Sequence, residues 1–418
     1  MIKEGDMVSI IEKKEGISNV KVVTANEAVA LAVKCSRVDV VGAYPITPQT
    51  SIMEYLAKYV ETENLPIEIV RVESEHSAMA VAMGAAAVGA RAFTATSSQG
   101  LLYMAEMVYW VGGSRLPVVL AIASRAMGAP WIIGNEHTDV LLPREWGWMV
   151  LFPEDNQEVF DTIIQAYKLA DSTLIPVVVG LDGFLLSHTT MPISIPEQSL
   201  IDSFIPKNTP KPYALDTANP FTHGNAVHSN VYLEFRYDIF RTIQEAEDLV
   251  DEIDREWEKI TGRSYGGVIQ EYLLDDADVA IIVMGASSGD AKQAAKNVRE
   301  KYGIRAGVIR LRSIRPFPFK RLTKLANNLK AIGVVDRNIS PGVAGMIATE
   351  VKFALYDLEK RPIVQSYIGG LGGKDIKVSD FENIFVELSQ MVEGKVTPER
   401  AKWIGLDLSL VEQYFEEV

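Results

Sequence analysis

Short, unbroken apolar runs alternating with longer helical stretches constrain this chain more than any other feature of it. Val38–Ala43, Ile67–Val72, Arg91–Thr96, Val118–Ile122 and Ile175–Val179 are predicted strands, apolar at most positions rather than at every second one. That pattern suits a parallel sheet covered on both faces. Asn26–Ser36, Gln49–Val60, Ser77–Gly89, Leu101–Val111 and Asn156–Ala170 carry helical periodicity, so strand and helix alternate in a doubly wound α/β order. The same order resumes at Val279 with strand VAIIVMG, helix Asp290–Tyr302, strand Ala306–Leu311, helix Lys320–Leu329, strand Ala331–Val335, helix Met346–Leu358 and strand Ile363–Tyr367. A second parallel-sheet domain is expected there.

At 418 residues the chain has room for two or three domains. The division predicted is 1–265 and 266–418, the first part holding an α/β domain, a linker and an amphipathic helix. From Pro196 to Asn230 the composition turns to Pro, Asn, Thr and Ser, as in IPKNTPKPYALDTANP, which reads as a crossing linker. Tyr237–Ile260 then sets Ile239, Ile243, Ala246, Val250 and Ile253 at helical spacing, so this helix packs on something.

Charge and composition exclude several partners. With 41 Lys and Arg against 55 Asp and Glu the formal charge is −14, which repels phosphate backbones and anionic headgroups. Apolar runs such as Leu116–Ala123 are far too short to span a bilayer. The opening MIKEGDMVSIIEKKEG lacks the apolar core and cleavage site of a secretory leader. A single cysteine, Cys35, supplies neither a disulfide nor a cysteine-ligated cluster. The expectation is a cytoplasmic protein with no iron–sulfur centre of its own.

Ligands of doubly wound sheets bind beyond the carboxyl ends of the strands. Four such junctions are chemically unusual here: Tyr44-Pro45-Ile46-Thr47-Pro48, Glu73-Ser74-Glu75-His76, Thr96-Ser97-Ser98-Gln99-Gly100 and Ser124-Arg125-Ala126. Prolines around Thr47 restrict its backbone, which suits either a preorganised substrate contact or a helix N-cap. Two carboxylates and an imidazole precede Ser77–Ala90, in which 10 of 14 residues are Ala, Gly or Ser. Such a helix lies against another backbone, another subunit or a flat ligand. One of Glu73 and Glu75 then faces a restricted space where its pKa is tuned for proton work, or both decorate a helix N-terminus. Ser97–Gly100 forms a cradle for an anion or polar ligand but lacks the lysine of a P-loop. Arg125 suits two-point binding of a carboxylate, or an internal salt bridge. The loop GAPWIIGNEHTDVLLPREWGWM, Gly128–Met149, concentrates Trp131, His137, Asp139, Arg144, Trp146 and Trp148, and no third ligand accompanies His137 and Asp139 to make a metal site. No Gly-Asp-Gly with a distal Asn, the magnesium-diphosphate signature of thiamine enzymes, occurs, so the chemistry needs another chain.

Taken together, NEAVALAVKCSRVDVVGAYPITPQTSIME, ESEHSAMAVAMGAAAVGARAFTATSSQGLLYMAEM, RLPVVLAIASRA and VGLDGFLLSHT resemble the α subunit of 2-oxoacid:ferredoxin oxidoreductases, most of all the pyruvate synthase type. The likeness continues through EFRYDIF, GRSYGG, VIRLRSIRPFP and GVVDRNIS to near residue 395. It implies a thiamine-enzyme pyrimidine-binding domain followed by a transketolase C-terminal-like domain. It also implies oxidative decarboxylation of a 2-oxoacid to acyl-CoA and CO2. The cofactor would be thiamine diphosphate shared with a β subunit, with Mg2+ and [4Fe-4S] clusters on β, γ and δ partner subunits, coenzyme A as co-substrate and ferredoxin or another acceptor taking the electrons. By the same resemblance Glu75 takes the place of the glutamate that bonds the aminopyrimidine ring, favouring the tautomer that takes the thiazolium proton. Thr47 matches a substrate-contacting threonine, Tyr44, Pro45 and Ile46 share its cofactor-binding motif, and Arg125 matches the arginine for the 2-oxoacid carboxylate.

Trp131, Ile133, Gly134 and His137 are expected to line the substrate pocket. Relatives carry a bulky aromatic where this chain has Gly134, Thr where it has Trp146, and an aliphatic where it has Trp131. Either the acyl pocket is reshaped for a branched or aryl 2-oxoacid such as phenylglyoxylate, or the core has rearranged around pyruvate. The alternative activity is that of a non-oxidative thiamine-dependent decarboxylase or transketolase-like half-enzyme. A non-catalytic scaffold has no need of Thr47, Glu75 and Arg125 together.

Overall fold

The computed structural model describes residues 17–207, 209 and 211–416. The N-terminal stretch 1–16, read above for a leader, lies outside them, as do Asn208 and Pro210 of the expected linker. Fifteen strands occur among the described residues: β1 (Ile17–Thr24), β2 (Val40–Ala43), β3 (Glu68–Arg71), β4 (Ala92–Thr96), β5 (Val119–Ser124), β6 (Met149–Leu151), β7 (Val177–Asp182), β8 (Thr190–Pro196), β9 (Ile269–Tyr272), β10 (Val279–Val283), β11 (Ala306–Leu311), β12 (Ser313–Arg315), β13 (Ala331–Asp336), β14 (Ile363–Ile368) and β15 (Lys402–Trp403). Two large, mainly parallel sheets with accompanying helices result, beside a two-stranded antiparallel pair of β1 and β8, so the fold is α/β as the apolar runs imply.

The first sheet has the order β12-β6-β7-β5-β4-β2-β3. β3, β2, β4, β5, β7 and β6 are mutually parallel. Every residue of β4, β5 and β7 is buried, which is why these segments show no polar alternation. From β2 the chain steps to β3 on one side and then to β4 on the other. The carboxyl ends of β2 and β4 therefore flank a topological switch point, where the loops on either side splay apart and leave a crevice. The second sheet runs β15-β14-β13-β10-β11-β9, parallel except for β9. Its switch point lies between β10 and β13.

The small-residue helix Glu75–Ala87 is explained by close approach. A Cβ on Gly42 of β2 would overlap the Ala78 backbone, so sheet and helix meet with no side chain between them. Of the occupants expected for that helix, another backbone is the one found there.

The two sheets are tied by more than covalent connection. β12 pairs antiparallel with β6, so the second half of the chain supplies an edge strand to the first sheet. Arg310 and Arg312, both fully enclosed, reach Glu158 at 2.8 Å, and Arg312 also bonds Thr162 at 3.1 Å. The shared carboxylate offsets the cost of burying these two guanidiniums.

Several expectations change in detail. The Pro196–Asn230 segment contains the helix Gln198–Phe204 and follows β8, whose partner is β1. The amphipathic helix is longer than Tyr237–Ile260, running Ser229–Thr261, and packs on the helix Asn156–Thr173 with Ile239, Ala246, Val250 and Ile253 buried and Trp257 beside them. Among the described residues no helix is long and apolar enough to cross a membrane.

Candidate active site

The four unusual junctions converge at the carboxyl side of the first sheet, around its switch point. Ser74 caps the helix Glu75–Ala87 by accepting from the Ser77 N–H at 3.2 Å, which sets Glu75 as the first helical residue. The two glutamates part company there. Glu73 stays exposed and bonds the Ser77 hydroxyl, which holds its carboxyl below the usual range. Glu75 is only 7% exposed and turns toward the start of the helix Ser98–Gly113. A Cβ on Gly100 would stand 2.8 Å from Glu75 Oε1 and 2.5 Å from Thr96 Oγ1, so glycine is needed for the carboxylate to lie over that helix end. No hydrogen bond to the Glu75 carboxylate occurs among the described residues.

Beside it lies Arg125, directly after β5 and 5% exposed. Its Nη1 donates to the Thr47 carbonyl and its Nη2 to Gln99 Oε1, each at 2.7 Å, while Nε has no partner. All these acceptors are neutral. Burial pulls the guanidinium below its ordinary value, with Asp139 and Glu75 acting in the other direction from a distance. A buried cation whose bonded partners are all uncharged is poised for an anionic ligand. The internal salt bridge considered for Arg125 is absent among the described residues.

Thr47 is exposed, its hydroxyl without a partner among the described residues, and Tyr44 and Ile46 are half-buried with Pro45 exposed. The N-cap of the following helix, Thr50–Glu63, is Gln49 and not Thr47. The capping alternative for Thr47 therefore drops out.

The clamp beneath this cluster was not anticipated. Asp139, fully buried in the short helix Thr138–Leu141, accepts from the Ser98 N–H at 2.8 Å, the Arg125 N–H at 3.0 Å and the Val140 N–H at 2.8 Å. Burial pushes its carboxyl up to about 7 against those three donors. It thus fixes the helix start after β4 and the residue after β5 relative to one another. A single acid in an aromatic-rich loop carries no sequence pattern that reveals backbone partners; the only signal was the metal-like spacing of His137 and Asp139, and the structure sends these two apart.

His137 does not face the Arg125 cluster. It is 2% exposed, its ring bonds Asp182 at 2.7 Å and stacks near Phe152, and its N–H donates to the Arg337 carbonyl. Asn135 joins the same group, reaching Asp182 at 2.5 Å. Gly134 lies against the second sheet's turn Leu371–Gly373, where a Cβ would overlap the Gly372 carbonyl. The missing aromatic at 134 therefore does not open an acyl pocket, because another backbone fills its place. Trp146 belongs elsewhere too: its carbonyl abuts Gly112 at the far end of Ser98–Gly113, roughly 18 Å along the helix axis from Gly100 at 1.5 Å per residue. Trp131, 70% exposed, does approach the cluster, its Cδ1 3.4 Å and the Gln99 Nε2 2.8 Å from where a Gly128 Cβ would be, while Ile133 is 39% exposed on the same loop.

Comparison with known proteins fits this geometry. Residues 31–255 match the family described as pyruvate flavodoxin/ferredoxin oxidoreductase, thiamine diphosphate-binding, and residues 277–381 match pyruvate:ferredoxin oxidoreductase core domain II. The chain is 42% identical to ketoisovalerate oxidoreductase subunit VorA of Pyrococcus abyssi over 92% of its own length and 98% of that protein's. It is 40% identical to pyruvate synthase subunit PorA of Methanocaldococcus jannaschii, covering 94% and 99%. Among solved structures it resembles a 2-oxoglutarate:ferredoxin oxidoreductase from Magnetococcus marinus with 2-oxoglutarate, coenzyme A and succinyl-CoA bound, at TM-score 0.68 and 19% identity, over 89% of this chain and 65% of that one. A split-gene transketolase shares the fold at TM-score 0.52 and 16% identity, over 88% and 98%.

Proposed function

This chain belongs to the pyruvate flavodoxin/ferredoxin oxidoreductase family, and from its site we propose that it is the α subunit of a thiamine diphosphate-dependent complex that decarboxylates a 2-oxoacid oxidatively to acyl-CoA and CO2. The observation that carries the reading is the pairing of an enclosed Glu75 carboxylate, free of internal hydrogen bonds among the described residues, with a buried Arg125 bonded only to neutral acceptors. Glycine at position 100 leaves that carboxylate room over the start of the helix Ser98–Gly113, where it would suit an aminopyrimidine ring. When bound, thiamine diphosphate supplies the carbon nucleophile and the electron sink for the departing CO2.

The residues of this chain then have separate tasks. Glu75 would bond the aminopyrimidine ring through its carboxyl oxygen and move a proton there, in a space shielded from bulk water. Arg125 binds the substrate carboxylate and orients it. Since that carboxylate must leave as CO2, one cation of reduced availability, already sharing its protons with Thr47 and Gln99, binds it without over-stabilising the ground state. The Thr47 hydroxyl contacts the reacting carbonyl, and Tyr44, Pro45 and Ile46 border the ring. Trp131 and Ile133 offer an apolar wall, which favours a 2-oxoacid with an apolar acyl chain, pyruvate or a branched or aryl acid. Mg2+ and [4Fe-4S] clusters are assigned to β, γ and δ partners, with ferredoxin or another acceptor downstream, and the complex is assigned to the cytoplasm.

The test is Glu75→Gln in the assembled complex. Acceptor reduction driven by 2-oxoacid and coenzyme A falls by at least ~100-fold, the order expected for loss of a general acid or base, while the subunits still copurify. Undiminished turnover would remove Glu75 from the proton path.

A further inference from the structure

We infer that Gln99 is a specificity-determining residue, whose carboxamide keeps Arg125 free of a counter-ion and donates its own N–H to the same substrate carboxylate. This rests on the reading that Arg125 receives the 2-oxoacid. Which way the amide faces is dictated by its neighbours. Arg125 Nη2 can only donate, and it lies 2.7 Å from Gln99 Oε1; the Ser98 hydroxyl lies 2.6 Å from the same oxygen. The Gln99 Nε2 is therefore turned away from both. It sits 2.8 Å from the place a Gly128 Cβ would take, on the side of the Trp131 loop, and has no acceptor among the described residues.

Charge makes the choice of amide meaningful. A glutamate of the same shape would neutralise Arg125 internally and compete with any incoming carboxylate. The amide oxygen positions the guanidinium without cancelling its charge, and its nitrogen adds a second donor next to it. Asp139 makes the pair rigid, since it bonds the backbone N–H of both Ser98 and Arg125. The one hydrogen of the Ser98 hydroxyl is shared between the Gln99 amide oxygen and the Ala126 carbonyl, 2.7 Å away, which ties the amide's support to the loop after β5. Amide and guanidinium thus stand on one clamp.

The experiment compares the assembled wild-type complex with Gln99→Glu and Gln99→Met. For Gln99→Glu, KM for the 2-oxoacid rises at least tenfold, kcat changes less, and KM for coenzyme A stays put. The inhibition constant of isobutyrate, an unreactive carboxylate, rises in parallel. Gln99→Met, which removes the donor but adds no charge, raises both constants by a smaller factor. If Gln99→Glu does not assemble, Gln99→Met alone decides, and unchanged constants in it overturn the inference. Unchanged KM and inhibition constant in Gln99→Glu also overturn it. A wild-type complex that oxidises no 2-oxoacid refutes the underlying function, whereas an active wild type with indifferent Gln99 variants refutes only this residue's part.

Discussion

Gly134 has no side chain because a second backbone stands where one would be. The Gly372 carbonyl occupies the Cβ position, Gly373 donates to the Asn135 carbonyl at 2.8 Å, and Ile132 lies 3.3 Å from where a Gly372 Cβ would fall. Gly134→Ala therefore forces loop and turn apart, at a cost of about 1–3 kcal/mol typical of overpacking. Because Asn135 and Asp139 follow directly, the shift reaches Arg125, and kcat/KM falls together with the melting temperature of the complex. A variant that melts and turns over like wild type would show that the turn yields freely. From sequence, positions 131, 134 and 146 looked like the walls of one pocket, since all three depart from their relatives within one loop. Chain proximity says nothing about which distant segment meets each residue, and here three different segments do: Gly128 and Gln99, Gly372, and Gly112. The junction residues were readable because strand ends in such sheets share one edge, so Thr47, Gln99 and Arg125 had to be neighbours once the order of strands was right. The residue pattern alone left Glu73 and Glu75 open and only the resemblance chose Glu75; in the structure which of them is enclosed is set by where Ser74 starts the helix.

Elements of the two sheets meet at their carboxyl ends, and this seam explains why the second switch point offers no second site of the same kind. Its crevice between β10 and β13 is filled by the first sheet's own Asn135–His137 loop and by Asp182 at the end of β7. Asp182 accepts from His137, from Asn135 and from the Ala286 N–H at 2.7 Å. Although burial raises it, these bonds and the nearby Arg337 bring its carboxyl down to about 2. A folded-state value below the ordinary 3.8 means a stabilising contribution present above pH 4 and lost as pH falls from about 4 to about 2. Asp182→Asn accordingly lowers stability at neutral pH by about 1–3 kcal/mol, the order for hydrogen bonds to a charged group, in denaturant melts. The gap to wild type narrows only in that acid range; a gap independent of pH down to 2 would mean the charge is immaterial. Long helices and fully apolar strands were legible because each signals its burial along its own length. The short pieces were not: β12 is three residues, β15 two, and β1 and β8 are held by each other across the length of the first sheet, so their pairing leaves no local mark.

On the scale of the whole molecule, the site lies at an edge that the described residues leave uncovered. Trp131, Ile132 and Ile133 stand exposed on the loop that follows Arg125, and Leu102, Tyr103 and Trp110 stand exposed along the helix whose first turn holds Gln99 and Gly100. Apolar surface of this kind beside a charged cluster marks a surface meant to be covered. The relatives are named as subunits, and this chain carries no Gly-Asp-Gly diphosphate signature, so a partner covering this edge would bring what the site lacks. Hydrogen exchange checks this directly. Comparing the chain in its complex with the chain after dissociation, protection on assembly concentrates in residues 128–134 and along Ser98–Gly113. Exposed Phe353 and Tyr356, on the helix Met346–Leu355 and just past its end, provide an apolar control on the second sheet's side. Protection that appears around those two residues and spares the Trp131 loop would place the partner on the wrong face to complete the Glu75 site, and would leave Arg125 open to solvent in the working enzyme.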